Sequence, residues 1–208
     1  VQPAPGAVGV AVDADLIVAF NRPVAALGQN EPPLPLIITP TVRGAGEWVT
    51  TSIYRFTPAT GLAASTAYTV TASAGLEDTT GGLLTEPYTF TFHTADPTVV
   101  RWTFVRASHR EGTDNVIPTS PISVTFSLPM EQASTEAAFR LVEVAGRTQS
   151  APLPGVFVWN EAGTVMSFKP TQALKFGAQY RASIAATARP ANGQGALRTA
   201  ASRDFTTV

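Results

Sequence analysis

Few side chains in this chain have the types that perform chemistry, and their spacing decides which reactions are open to them. Two histidines occur, His93 and His109. Neither has a second histidine at helical spacing, and the His-Glu-x-x-His pattern that sets two imidazoles and a base on one helix face is absent. His109-Arg110-Glu111 matches no zinc signature, and His93 reads as a polar residue at a strand end. The chain has no cysteine, which excludes a thiolate metal site, a disulfide or a cysteine nucleophile within these residues. No Gly-x-Ser-x-Gly elbow presents a serine, and nothing marks a carboxylate pair for glycoside hydrolysis. Asp13-x-Asp15 and Glu77-Asp78 are the best candidates for calcium, yet neither continues into an EF-hand loop. Asp13 and Asp15 are expected to cap a turn before Leu16 by bonds to local backbone, and Asp78 to shape a turn with Gly81. Gly44-Ala-Gly46 lacks the third glycine and following helix of a nucleotide loop and reads as a tight turn before Trp48. Trp48, Trp102 and Trp159 are the residues that could form a sugar platform, but their positions read as core. Arg101, Arg106 and Arg110 make a small basic cluster, read as a solvated face or as ion pairing between domains. The expectation is therefore no catalytic, cofactor-binding or metal-binding residue, no cofactor, and no enzyme.

Composition narrows the classes further. The 208 residues suffice for one or two domains with their own cores. Charged residues make 14% and the net charge is −1, well under the usual quarter charged. Lys169 and Lys175 are the only lysines, too few for a face that tracks nucleic-acid phosphates. No apolar run reaches the length of a membrane span, and no signal peptide is evident. Val1 to Gly6 reads as an extended tether, so the segment is expected to belong to a larger protein.

The elements that would position these residues repeat. Phe56-x-Pro58, Leu62, Tyr68, Gly81 and Phe92-x-Thr94 return as Phe168-x-Pro170, Leu174, Tyr180, Gly193 and Phe205-x-Thr207, at offsets of 112 and then 113. Two copies of one β-rich unit follow, with the boundary at Ala95-Asp96-Pro97 and domains at 1–96 and 97–208. Strands are expected at 8–12, 16–20, 36–39, 48–51, 52–56, 67–72 and 88–93, and in the second copy at 99–106, 122–126, 140–144, 155–159, 165–168, 180–186 and 202–207. Alternation puts Tyr68, Val70 and Ala72 on one face, Tyr88, Phe90 and Phe92 on one face, and Val100, Trp102 and Phe104 on one face. Phe56 and Phe92 are expected in the core on neighbouring strands. Residues 24–35 and 107–118 read as loops. Phe20 and Phe126 precede matching prolines at an offset of 106, so six extra residues enter the second copy upstream of Phe168. They fall where Ser134 to Phe139 reads as a short helical turn capped by Ser134 or Thr135. Six or seven short strands per half argue for two antiparallel immunoglobulin-type sandwiches, with a closed barrel as the alternative.

The run Ile122-x-Val124-x-Phe126-Ser-x-Pro129-Met130, Phe139, Val156 to Trp159, Phe168-x-Pro170, Leu174, Tyr180, Gly193 and Phe205-x-Thr207 resembles bacterial Ig-like domains of surface-layer and large secreted proteins. The first copy departs from it with Ile38-Thr-Pro40 and Gly46-x-Trp48, and that variant is similar to the N-terminal domains of bacterial alpha-2-macroglobulins, envelope-associated protease traps. The resemblance implies an extracytoplasmic scaffold whose partners are other domains of the same protein and, through the parent, proteases. It implies that the trapping chemistry lies elsewhere. A glycan- or surface-binding module is the competing expectation. Any difference in task between the copies is expected at 24–51 against 130–160.

Overall fold

The computed structural model describes residues 1–26, 35–107 and 112–208. His109, Arg110, Glu111 and most of the loop expected over 24–35 lie outside the described residues. The chain forms two compact units, Val1–Ala95 and Asp96–Val208.

In the first unit the strands are β1 (Ala7–Val10), β2 (Leu16–Ala19), β3 (Leu36–Thr39), β4 (Gly44–Thr50), β5 (Ile53–Pro58), β6 (Ala67–Ala72) and β7 (Tyr88–Thr94). One sheet has the order β1-β7-β6-β3 and the other β2-β5-β4. Each strand turns alternate residues inward. Leu16 and Val18 from β2 meet Val70 from β6 and Phe90 and Phe92 from β7 between the sheets. Burying each of these large side chains is worth roughly 1.5–3 kcal/mol. β1 joins β7 in parallel, while the other pairings are antiparallel.

The second unit has β8 (Val99–Phe104), β9 (Ile122–Phe126), α1 (Gln132–Ala138), β10 (Phe139–Ala145), β11 (Thr148–Gln149), β12 (Gly155–Trp159), β13 (Val165–Pro170), β14 (Gln179–Ile184) and β15 (Ala201–Thr206). Its sheets run β11-β10-β14-β15 and β12-β13-β9-β8. Ile122, Val124 and Phe126 face Tyr180, Ala182 and Ile184 across a core that also takes Met166, Phe168 and Phe205. Both units are two-sheet sandwiches of immunoglobulin type, not closed barrels.

Several local expectations fail for identifiable reasons. Gly44-Ala-Gly46 is strand, not turn. A Cβ on Gly46 would lie 1.7 Å from the Tyr54 hydroxyl oxygen, and one on Gly44 would lie 2.5 Å from the Phe56 ring. These glycines are seats for cross-strand aromatics. The second copy repeats one seat: Gly155 lies under Phe168, whose ring atom would be 2.2 Å from an added Cβ. Val100 does not share a face with Trp102 and Phe104. A bulge between Val99 and Arg101 shifts the register and leaves Val100 63% exposed. Phe56 and Phe92 belong to opposite sheets; the neighbour of Phe92 is Tyr68, directly opposite on β6. Tyr88 points with Phe90 but lies at the strand end, 47% exposed. The helix is capped by Glu131, whose carboxylate accepts the Ala133 and Ser134 amides. Thr135 is buried inside the helix, and Phe139 opens β10. In the stretch read as a polar loop, Val116 is buried and bridges both Arg106 and Thr207. Among the described residues the second unit has eight strands, one more than the seven expected, because the two-residue β11 carries no sequence signal.

Candidate functional site

The recurring skeleton converges on one corner in each unit. Between β5 and β6, the Ala63 amide donates to the Tyr68 hydroxyl at 2.9 Å. The Thr94 hydroxyl donates to the Ala63 carbonyl at 2.6 Å and accepts the Thr66 amide at 2.9 Å. In the second unit Lys175 takes the place of Ala63. Its amide donates to the Tyr180 hydroxyl at 2.9 Å, and its carbonyl accepts from the Thr207 hydroxyl. The Ala178 amide donates to Thr207 Oγ1 at 3.0 Å. One residue per unit thus has both backbone groups held by a tyrosine from the next-to-last strand and a threonine at the end of the last strand. Tyr68 stacks on Phe92 at 5.3 Å and Tyr180 on Phe205 at 5.6 Å, which fixes each phenol. A tyrosine corner of this kind marks immunoglobulin-type sandwiches. Thr94 and Thr207 are buried and engaged as both donor and acceptor with backbone groups.

The corner requires a left-handed residue. Gly177 supplies it at φ 63, and Ser65, its counterpart, adopts φ 50. The Ser65 hydroxyl is buried with no hydrogen-bond partner among the described residues.

Asp78 is the most strongly perturbed acid. Its carboxylate accepts from the Thr80 hydroxyl at 2.7 Å, the Gly82 amide at 2.9 Å and the Thr80 amide at 2.8 Å, and it pairs with Arg22 at 3.1 Å. These bonds, led by the Thr80 hydroxyl, hold it well below the usual carboxylate range. Gly81 sits at φ 84, and a Cβ on Gly82 would strike Asp78. Glu77-Asp78 is therefore turn machinery, as expected from sequence. The Asp13 and Asp15 cap is not found: the turn is closed by the Ala14 amide on the Ala11 carbonyl. No group of three metal-ligating side chains exists among the described residues.

His93 Nδ1 lies 2.8 Å from the Thr94 carbonyl. Trp102 and Trp159 are half-buried and pack against the core; Trp159 stacks on Phe126 and donates to Glu136 at 2.8 Å. Trp48 is half-buried at the edge strand, against Phe20 and Tyr54. The tryptophans are thus flanks of the cores, not their centres. Arg106 bonds to the Asp114 carbonyl and carboxylate. Elsewhere Arg181 grips Asp204 through two bonds of 2.6 and 2.7 Å and lowers its carboxyl below the ordinary value.

Surface hollows are the remaining candidates, and two of them are the larger described. One of about 320 Å³ is lined by Arg101, Trp102, Thr103, Phe104, Gly112, Thr113 and Arg203. Another of about 310 Å³ lies among Phe20, Arg22, Val24, Leu76, Asp78 and Leu84. Among the described residues that line them there is no His–Ser pair and no pair of convergent carboxylates. Nothing in the sequence points to Arg203 beside Trp102, since they lie 101 positions apart.

The geometry defines a tandem of immunoglobulin-type sandwiches stitched by buried hydroxyls. The model of the bacterial Ig-like domain matches residues 1–94 and again 98–207. The chain belongs to that family, as two consecutive copies. No curated protein matches it significantly. Among solved structures, the S-layer protein rSbsC(31-844) is 18% identical over 53% of this chain and 13% of its own, with a TM-score of 0.38. The N-terminal part of the bacterial S-layer protein SbsC is 17% identical over 54% of this chain and 23% of its own, at 0.39. L,D-transpeptidase 3 from Mycobacterium tuberculosis is 15% identical over 76% of this chain and 62% of its own, at 0.34. Each is matched over less than two thirds of its own length, and none of these likenesses bears on function.

Proposed function

We propose that this segment is a non-enzymatic spacer and contact surface in a larger bacterial envelope or secreted protein, with domains at 1–96 and 97–208. The observation that carries the reading is the repeated corner: the buried Tyr and Thr hydroxyls that recur between the copies are engaged with backbone. The family assignment supports it. An extracytoplasmic location and a macroglobulin-like parent belong to the same proposal. The parent rests on the Ile38-Thr-Pro40 and Gly46-x-Trp48 variant in the first copy, and proteases would then be partners of the whole protein only. Replacement of the segment in its parent by an unrelated rigid tandem sandwich of equal length tests the reading. A spacer predicts that the parent keeps its activity and location; loss of either, with the substitute folded, overturns it.

The hollow at Trp102 favours one second reading. An aromatic flanked by Arg101 and Arg203 suits an acidic glycan. Titration with anionic cell-wall polysaccharide, read by tryptophan fluorescence and repeated with Arg203→Ala, separates the two readings.

A further inference from the structure

We propose that the first unit is a shear clamp, built to resist tension along the chain. This rests on the spacer reading for its purpose, although the geometry belongs to the fold. β1 and β7 are the first and last strands of the unit, and they are bonded to each other in parallel, Ala7 opposite Phe92 and Val10 opposite Thr94, with a register shift between these two pairs. The Gly6 amide donates to the Thr91 carbonyl at 2.7 Å and the Ala95 amide to the Val10 carbonyl at 2.8 Å, so the ladder is closed at both ends. Tension enters at the N-terminal end of β1 and leaves at the C-terminal end of β7. Because the strands run the same way, the two pulls are antiparallel along the strand axis. Every bond of the ladder is then strained together, instead of one after another as in peeling. Ahead of the ladder, Gln2 exchanges two backbone bonds with Ile17 of β2, at 2.7 and 2.8 Å. Behind it, Thr94 is latched to the Ala63 carbonyl, so the last strand cannot slide without breaking the corner. Ala7 and Val10 also pack on the core, and sliding β1 drags them across it.

The second unit distributes the same load differently. Its first strand, β8, lies on the sheet opposite its last strand, β15. Parallel contact with the last strand comes at Val116, whose amide donates to the Thr206 carbonyl and whose carbonyl accepts the Val208 amide. The clamp of directly joined terminal strands is a feature of the first unit.

The direction of pull tests the proposal. The chain has no cysteine, so introduced cysteines are unique handles. In the full chain, Val1→Cys with Asp96→Cys loads the ladder along its axis. Asp13→Cys with Asp96→Cys pulls on both strands from the same end and peels it. Single-molecule force spectroscopy at one loading rate is expected to give a higher unfolding force for the first pair and a marked loss of force for the second. Melting curves of both variants matching the unmodified chain establish that the handles leave the fold intact. Equal forces in the two directions, or a higher force for the peeling pair, overturn the clamp. That outcome would leave the unit a passive spacer, whereas failure of the segment replacement would remove the spacer role itself.

Discussion

A carboxylate held far below its ordinary range makes Asp78 the clearest titrating residue. The unfolded carboxyl titrates near about 3.9, and the folded group titrates lower. Its contribution to stability is therefore complete above about pH 4 and is lost as the pH falls through the folded value. Asp78→Asn is expected to melt below the wild type at pH 7, with the gap closing as melts are taken below about pH 4. A gap independent of pH would remove the charge from the explanation. Ser65 makes the opposite case. Its positive φ and unpartnered buried hydroxyl each cost stability, and only the extra backbone freedom of glycine opposes their removal. Ser65→Gly is expected to stabilise the chain by roughly 1 kcal/mol in denaturant melts. The role of Asp78 is legible in sequence, because an Asp three residues before Gly81-Gly82 is a local turn signal. Ser65 was not: nothing around it announces a left-handed residue, and only Gly177, 112 positions on, points to it.

The expected bounds of β3, β6, β9 and β12 match the strands found, two of them short apolar runs and two with alternating burial. Alternation reports burial on one face directly, and β6 and β9 do bury every second residue. Where one residue breaks the period, the reading failed. The bulge at Val100 inverts the outer half of β8. The glycines of β4 resemble a turn until the rings of Tyr54 and Phe56 are placed over them. The cap of α1 was assigned to Ser134 or Thr135, but Glu131 fills the role, since two or three residues of helix before Ser134 have no apolar period to reveal them. The glycine seats lead to a prediction on elements. Gly155→Ala puts a methyl against the Phe168 ring and the Lys169 carbonyl. The ring can turn, but the carbonyl belongs to the paired strand. The β12–β13 pair must part, at a cost of about 1–3 kcal/mol, read from the denaturation midpoint of the variant. A neutral substitution would show that the aromatic seat is slack.

The molecule as a whole is one design used twice with different ends. The offset of 112 holds from Phe56 to Gly81, and its growth to 113 falls between Gly193 and Phe205, ahead of the strand that brings Thr207 to the corner. The sequence placed the difference between copies at 24–51 against 130–160. Helix α1 and β11 do lie in the second range. A further difference lies at the first strands, where β1 joins the last strand of its unit and β8 joins the opposite sheet. Strand pairing is long-range, and short alternating runs carry no record of which sheet they enter.

If the repeated residues clamp the fold, removing one of their hydroxyls loosens the strands it joins. Amide hydrogen exchange on Thr207→Val and Thr94→Val tests it most directly. Each loses a hydroxyl that serves two backbone groups, a loss of about 1–3 kcal/mol. Thr207→Val is expected to lower protection throughout β14 and β15, and Thr94→Val to do the same in β6 and β7. Protection unchanged in these strands, for either variant, would contradict it.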